Sequence, residues 1–393
     1  MRLSQLLEGG VVLATAHGAA ATGYTPASTI KTDALAVAAL ANLAAYSATN
    51  PNPSSCNVLN AAKRREWSSL SGAQRIAYTD AVKCLMSRPS QLDPVAVPGA
   101  KTRYDDFVAV HINQTLSIHG TANFLSWHRL FTWAFEQALR TECGYDGYQP
   151  YWNWGKTAFD PNGSPVFDGS ATSMGGNGVY VPHNCTNGLP TGLNCIPPGN
   201  GGGCVETGPF VNFTVNLGPI APTLAAPGVV PASSFFAHNP RCLRRDVNSW
   251  VSSNWTRDID SWDLITKYND ILSFQNRMQG DFATGFYGVH TGGHFTMAGD
   301  PGGDLFASPG DPAFWLHHGQ IDRTWWIWQN YKSPQTRTSA LAGTITINNT
   351  PPSRNGTLED VLDLSVLLSA PTTIAKVMST IGMTGGPLCY IYV

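Results

Sequence analysis

The sequence predicts a mainly α-helical protein with long irregular loops and few short strands. Two observations favour this fold class. Apolar residues recur at helical spacing in several separate segments, and the stretches between them are rich in glycine, proline and asparagine. The 393 residues are 42% hydrophobic, enough to bury one large core. No repeat of fixed period and no clear linker divides the chain, so we expect a single domain over residues 22–393.

The first half of the chain begins with two helical segments. Residues 32–47 are rich in Ala and Leu and end before the prolines of NPNPSS. Residues 61–86 carry a second helical pattern, with Gly72 as a point where it can break. Residues 160–231 lack periodicity and are predicted to be an irregular loop region.

Helical patterning returns in the second half of the chain. It begins with SWDLITKYNDILSFQNRM at residues 261–278 and continues to Gln329. Residues 344–367 are predicted to form a short strand, a turn and a small helix.

Eight cysteines, an even number with no C-x-x-C pair, are predicted to form disulfides rather than a redox dithiol or a thiolate zinc site. The sequence does not fix their pairing. They are Cys56, Cys84, Cys143, Cys185, Cys195, Cys204, Cys242 and Cys389.

Disulfides require an oxidising compartment, so we expect a secreted, extracellular protein. Residues 1–21, in which Arg2 precedes an apolar stretch, are predicted to be a signal peptide, although Glu8 interrupts its front. Asn113 lies in a helical pattern and is expected to be unglycosylated. Sequons favouring a glycoprotein occur at Asn113, Asn162, Asn184, Asn212, Asn254, Asn348 and Asn355.

The charge balance argues against two classes of partner. Lys and Arg number 24 against 26 Asp and Glu, so no strong field attracts nucleic acid or an anionic membrane. No apolar run reaches the roughly 18 residues that a membrane span needs. The sequence gives no sign of an obligate protein partner.

Two of the 10 histidines share the motif HTGGHF. His290 and His294 are four residues apart, which places both imidazoles on one face of a helix, where they can bind one metal ion. Alone this pair is a weak signal, because two surface or capping histidines fit it as well.

The next segment, GDPAFWLHHGQIDRTWW, strengthens the metal hypothesis. Asp311 suits the N-cap of a helix whose first residue is proline. In that register His318 falls on a stripe of large apolar residues, whereas His317 lies about 100° further round the helix. Asp322, one turn after His318, can orient an imidazole or pair with an arginine.

The segment HINQTLSIHGTANFLSWHRLF holds three more histidines. His119 and His128 are nine residues apart, half a turn out of phase, so they cannot share one helical face. We therefore expect His111 on one helix, His119 on the turn marked by Gly120, and His128 on the buried side of the next helix.

Two sets of three imidazoles, without a matching carboxylate or thiolate, favour copper or zinc over magnesium or calcium. One triad alone fits a zinc site with an open position for water. Two triads on four helices favour a facing pair of copper ions that bind one O₂ between them.

Both segments resemble the copper-binding regions of the tyrosinase, catechol oxidase and haemocyanin superfamily of type 3 copper proteins. HNPRCLRRD, at residues 238–246, further resembles the short secreted enzymes of ascomycete fungi. The resemblance implies a central four-helix bundle and two copper ions. Copper A is expected on His111, His119 and His128, and copper B on His290, His294 and His318.

The tyrosines at Tyr390 and Tyr392 resemble the motif that closes the catalytic domain in this family. Only Val393 follows, so no C-terminal shielding domain is expected. Leu305 aligns with a residue at the rim of the substrate pocket, although an ordinary loop leucine fits equally well.

Three departures from the family pattern bear on activity. Ser117 stands where many members carry a cysteine that forms a thioether to the second copper A histidine. Thr291 follows the first copper B histidine, where many tyrosinases carry an asparagine that helps to deprotonate a monophenol. Gln279 is the nearest match to the glutamate that holds the water for this step.

The resemblance therefore implies a catechol oxidase or polyphenol oxidase acting on O₂ and small phenols, with weak monophenol hydroxylation. A tyrosinase with substantial hydroxylase activity is the first alternative. A haemocyanin-like O₂ carrier is a second, which the short chain disfavours. A zinc hydrolase built on one triad is a third.

Overall fold

The computed structural model describes residues 23–185, 195–224 and 226–393, so the predicted signal peptide at residues 1–21 lies outside the described residues. Most of the regular structure is helical, as predicted. The longer helices are α1 (Ile30–Thr49), α2 (Gly72–Ser87), α3 (Arg103–Ile118), α4 (Phe124–Cys143), α6 (Ser249–Trp255), α7 (Asp258–Lys267), α8 (Ile271–Gln279), α9 (Gly288–Met297) and α10 (Phe314–Tyr331). Single-turn helices are α5 (Trp154–Thr157), α11 (Pro334–Arg337) and α12 (Ile374–Val377).

The strands are short and pair two by two. β1 (Ala62–Arg64) lies parallel to β8 (Tyr390–Tyr392), which joins the segment after α1 to the C-terminal strand. The other pairs are antiparallel: β2 (Gly178–Tyr180) with β3 (Gly202–Val205), β4 (Thr214–Val215) with β5 (Arg241–Cys242), and β6 (Val361–Leu362) with β7 (Thr372–Thr373). None of them forms a larger sheet among the described residues.

Four helices position the histidines. α3 packs against α4, α4 against α10, and α10 against α9, so the predicted bundle is confirmed. α10 is buried on all sides from Phe314 to Asn330, because α1, α4, α7 and α9 surround it. An apolar stripe therefore does not distinguish the inward face of this helix.

The predicted disulfides are confirmed, with all eight cysteines paired. Cys56–Cys389 ties the two ends together, and Cys84–Cys143 joins α2 to the end of α4. Cys185–Cys195 and Cys204–Cys242 tether the long loop region.

Three local predictions differ from the structure. The helical segment predicted over residues 61–86 breaks at Gly72, the point that the sequence marked: α2 begins there because Ser71 and Gln74 form a capping box, and Ala62–Arg64 pairs as β1. The strand predicted after Thr344 is absent, since Asn348 and Asn349 adopt positive φ and turn the chain.

The third difference concerns the start of α10, which begins at Phe314 rather than at the predicted Pro312. Asp311 still accepts a hydrogen bond from the N–H of Ala313 in the turn before the helix, and the same carboxylate forms a buried ion pair with Arg245 at 2.6 Å.

Within the described ranges, no helix combines the length and the apolar character needed to cross a bilayer.

Candidate metal centre

The first three histidines lie on the predicted elements and meet in the core. α3 carries His111 and α4 carries His128. His119 follows α3 in extended conformation (φ −124°, ψ 140°), and Gly120 reverses the chain with a φ of 59°. One ring nitrogen from each of the three lies within 4.8 Å of the others.

Main-chain carbonyls fix the orientation of these rings. Nδ1 of His111 donates to the carbonyl of Phe306 at 2.7 Å, and Nδ1 of His128 donates to that of Phe124 at 2.8 Å. Nδ1 of His119 donates to the carbonyl of Thr115 at 3.0 Å. The proton of each neutral ring is therefore on Nδ1, and Nε2 carries the free lone pair that a metal ion requires.

The second cluster joins α9 and α10. His290 and His294 come from α9, and His317 and His318 from α10, with one ring nitrogen from each within 4.8 Å of the others. Nε2 of His318 lies 3.4 Å from Nε2 of His294, whose Nδ1 donates to the carbonyl of Gly302 at 3.1 Å. Two imidazole nitrogens at about 2.0–2.1 Å from one tetrahedral ion lie about 3.4 Å apart, so this spacing fits a shared metal.

His317 is fully buried within this cluster, although the sequence marked it only as a neighbour. Nε1–H of Trp154 donates to its Nδ1 at 3.1 Å. Its ring packs on the backbone of α9 at Gly293, where any side chain would collide with it, while Gly292 faces Trp255. The two glycines of HTGGHF are thus explained by close packing.

The two clusters face each other across the bundle. The rings of His128 and His318 stack at a centroid distance of 4.5 Å, and those of His119 and His290 lie 6.1 Å apart. Nε2 of His111, Nε2 of His128 and both nitrogens of His290 are buried without a hydrogen-bond partner in the described part of the chain. Unpartnered buried nitrogens pointing to a common centre fit two adjacent metal ions.

Burial keeps these imidazoles neutral. It lowers the pKa of His119 and of His294 to about 4. The pKa values of the other four also fall well below the ordinary value, with burial as the largest cause; these residues are His111, His128, His290 and His318. Neutral imidazole is the form that binds a metal, so the donor set suits copper or zinc.

Asp322 pairs with arginines rather than with an imidazole. Its carboxylate accepts from Nε of Arg129 at 2.6 Å and lies 3.4 Å from Arg64. The hydroxyls of Tyr390 and Tyr392 donate to it at 2.5 and 2.6 Å. This buried network clamps α4, α10 and β8 together behind the histidines.

A cavity of about 1460 Å³ opens onto the histidines. Its walls include His119, His290 and His294, the three predicted pocket residues Gln279, Thr291 and Leu305, and parts of α8 and of residues 341–356. Leu305 is half-buried at this wall. The cavity is large enough for a ligand much bigger than one phenol ring.

Thr291 and Gln279 are already engaged with protein groups. The hydroxyl of Thr291 donates to the main-chain carbonyl of Gln279 at 2.7 Å. The side-chain oxygen of Gln279 accepts from the N–H of Gly120 at 2.8 Å, directly after His119, and its amide donates to the carbonyl of Gln275.

Sequence reasoning missed several groups that hold the site. Phe124 and Thr115 lie four residues before the histidines they orient, so helical spacing could have found them. Phe306 and Gly302 act through main-chain carbonyls, which carry no residue-type signal. Trp154 is 163 positions from His317, and nothing in the sequence links the two.

Comparison with known proteins supports the same chemistry. Residues 101–331 match the model of the common central domain of tyrosinase. Tyrosinase P of Aspergillus terreus is 42% identical over 339 residues, 84% of this chain and 91% of that protein. N-acetyl-6-hydroxytryptophan oxidase ivoB of Emericella nidulans is 40% identical over 352 residues, 86% of this chain and 93% of that protein.

A solved structure matches over nearly the whole chain. It is a polyphenol oxidase variant from Thermothelomyces thermophila, 41% identical, with a TM-score of 0.85 over 93% of this chain and 98% of that one.

Proposed function

Because the chain belongs to the tyrosinase family of type 3 copper proteins, we propose that it oxidises o-diphenols to o-quinones while O₂ is reduced to water. The observation that carries the proposal is the pair of facing histidine clusters, of which His119, His290 and His294 line one cavity. Two o-diphenols each lose two electrons and two protons, and one O₂ takes up four of each to give two water molecules.

Family membership implies a dicopper centre. We assign copper A to His111, His119 and His128, and copper B to His290, His294 and His318. His317 is left out because its Nδ1 already accepts the hydrogen bond from Trp154. Copper held by these residues would supply the redox chemistry with O₂.

The chain's own residues bind the phenol, orient it and exclude water. Phe124 packs against His290 at a ring centroid distance of 4.9 Å, and Phe314 against His318 at 4.2 Å. These aromatic side chains keep the imidazoles rigid and dry. We assign Leu305 a role in seating the phenol ring, since it lines the same cavity.

Oxidation of o-diphenols is favoured over hydroxylation of monophenols by the hydrogen bonds around His290. Hydroxylation of a monophenol would require a nearby base to take up its phenolic proton, which has a pKa of about 10. Gln279 is neutral, and Thr291 donates its hydroxyl to a carbonyl. The buried carboxylate in the cavity wall, Asp304, already accepts four main-chain N–H groups, from Ile220, Ala221, Phe306 and Ala307.

A second candidate is a tyrosinase with substantial monophenol hydroxylation. The name of the relative from Aspergillus terreus favours it. The relative from Emericella nidulans is named for the oxidation of N-acetyl-6-hydroxytryptophan, a substrate larger than a simple phenol. The large cavity of this chain is consistent with bulky phenols.

Secretion is part of the proposal. Four disulfides involving all eight cysteines support an oxidising compartment.

The test is O₂ uptake by the copper-loaded protein on 4-methylcatechol, tyramine and tyrosine. We expect rapid uptake with the catechol and slow uptake with both monophenols. Comparable initial rates on all three would favour the tyrosinase alternative. Metal analysis finding zinc and little copper would overturn the oxidase assignment altogether.

A further inference from the structure

We propose that Arg277 binds the carboxylate of an acidic phenol whose ring lies at the histidines. The proposal rests on the proposed function and names the class of substrate: phenols that carry a carboxylate on a side chain. Arg277 lies on α8, two residues before Gln279, and lines the cavity that also exposes His119 and His290.

The guanidinium of Arg277 is unusual among the described arginines because no group of the described residues accepts a hydrogen bond from it. Every other arginine in residues 23–185, 195–224 and 226–393 donates at least one side-chain hydrogen bond to a protein oxygen. Within those ranges Arg277 has neither such a bond nor a carboxylate within 4.0 Å. Its donors are therefore available to a ligand.

Aromatic rings hold this guanidinium in place instead. Its central carbon lies 3.1 Å from the ring centroid of Phe286 and 5.9 Å from that of Tyr268. Stacking restricts the side chain but leaves the edge of the guanidinium, where the N–H groups point, free for hydrogen bonds. The arginine is thus ordered in advance, which lowers the entropic cost of binding an anion.

The charges of the cavity wall point to the same ligand. Arg277 is the one Lys or Arg among the described lining residues, which also include Asp281 and Asp304. Asp304 is buried and its carboxylate is occupied by main-chain N–H groups. Asp281 is exposed and forms no ion pair with Arg277. The guanidinium of Arg277 therefore has no carboxylate partner among the described residues of this partly enclosed cavity.

A carboxylate is the group that best matches these properties, because its two oxygens fit the fork of an arginine. A neutral catechol fills little of a cavity of about 1460 Å³ and would leave Arg277 without a partner. A dihydroxyphenyl acid can place its ring at the histidines and its carboxylate on α8.

The experiment measures binding without turnover. 3-Phenylpropanoate and its neutral amide, 3-phenylpropanamide, lack the phenol and are not oxidised, so calorimetric titration of the copper-loaded protein gives their Kd values directly. We expect the acid to bind about tenfold more tightly than the amide, as one charge-assisted hydrogen-bonded pair allows. In Arg277→Gln the preference for the acid should disappear.

Arg65→Gln is the matched control, because Arg65 is a partly exposed arginine outside the cavity and the substitution changes net charge equally. It should keep the preference. Asp281→Asn removes a negative charge from the same wall. It should lower the Kd of the acid about twofold and leave the Kd of the amide unchanged. Equal Kd values for acid and amide in the unsubstituted protein would overturn the proposal. An equal loss of the preference for the acid in Arg277→Gln and Arg65→Gln would also overturn it.

Turnover separates this proposal from the proposed function. With 3-(3,4-dihydroxyphenyl)propanoate, Arg277→Gln should raise KM about tenfold with kcat unchanged, and it should leave 4-methylcatechol unaffected. If the protein oxidises catechols but Arg277→Gln does not change the KM of the acidic substrate, the anion site is refuted and the oxidase assignment stands. Arg277-dependent binding of 3-phenylpropanoate without oxidation of any phenol would refute the oxidase alone.

Discussion

The hydroxyl of Thr291 donates a 2.7 Å hydrogen bond to the main-chain carbonyl of Gln279, which joins the helix carrying His290 to the end of α8. The side chain of Gln279 continues this connection to the N–H of Gly120, next to His119. One chain of hydrogen bonds therefore links a histidine of each cluster. The two residues hold the site together, and the hydroxyl proton of Thr291 and one lone pair of the Gln279 amide oxygen are already used within the protein.

Thr291→Asn should raise the ratio of monophenol to diphenol oxidation. The substitution adds an amide beside His290 that can orient a water molecule to act as a base. The threonine hydroxyl cannot replace this amide, because it donates its proton to the carbonyl of Gln279. The ratio is measured from initial O₂ uptake on tyramine and 4-methylcatechol. Thr291→Val is the matched control, since it removes the hydroxyl without adding an amide. It should cost about 1 kcal/mol of stability and leave the ratio unchanged; an equal rise in both variants would contradict the reasoning.

Gln279→Leu should weaken copper retention roughly tenfold, because it removes the acceptor for Gly120 and loosens the turn that presents His119. Gln279→Glu keeps an oxygen at this place and should retain copper as the unsubstituted protein does. The measurement is copper content after dialysis against increasing chelator. If the leucine variant holds copper as tightly as the glutamate variant, the bond to Gly120 has no such role.

His318→Ala should reduce copper from about two ions per chain to about one, because it removes a proposed ligand. His317→Ala should keep more copper, since that ring packs against Gly293 and accepts from Trp154. Metal analysis after copper loading and desalting distinguishes the two. Loss of copper from His317→Ala with retention in His318→Ala would show that the ligand assignment is reversed.

Asp322→Asn should destabilise the protein by roughly 3–5 kcal/mol, because it leaves the buried guanidinium of Arg129 without its anion. Arg64 keeps its ion pair with Glu136 and loses only its longer contact with Asp322. Denaturant unfolding measures the loss. Asp263→Asn is a suitable control, since Asp263 pairs with Lys267 at the surface, and it should change stability by about 0.5 kcal/mol or less.

The pH dependence of stability follows from the same carboxylate. Burial alone would raise the pKa of Asp322. The opposite effect of Arg129, Arg64 and the two tyrosine hydroxyls is larger in sum, so the pKa of Asp322 lies below its ordinary value. A group whose folded pKa is depressed contributes stability above its unfolded pKa of about 3.9 and loses it as the pH falls. As the pH falls below about 4, the unsubstituted protein should lose more stability than Asp322→Asn. Parallel pH profiles of the two proteins would contradict this.

Reducing the disulfides should lower the unfolding temperature, because each bond restricts the unfolded chain and is worth roughly 2–4 kcal/mol. Cys56–Cys389 closes the longest loop, with a sequence separation of 333, and should contribute most in the chain-entropy view. A Cys56→Ser and Cys389→Ser double variant isolates this bond. Eight reactive thiols in the unfolded, unreduced protein would remove the basis of the prediction.

Much of the fold and of the site was predictable from local sequence. Helical spacing placed His111 and His128 on helices, and Gly120 marked the turn that holds His119. The even cysteine count predicted disulfides, all of which are present. These features depend on backbone geometry over a few residues, which the residue types themselves specify.

Tertiary structure decided the remaining features, because they depend on groups far apart in sequence. Asp322 pairs with an arginine rather than with an imidazole because Arg129 lies beside it, and Asp311 pairs with Arg245 in addition to accepting a hydrogen bond from the N–H of Ala313. The main-chain carbonyl of Phe306 orients His111, although a carbonyl is present at every residue and has no sequence signature. A histidine motif thus specifies which side chains can bind metal. In His111, His119, His128 and His294 the folded chain also determines which ring nitrogen is left free to do so, because a main-chain carbonyl accepts from the other nitrogen.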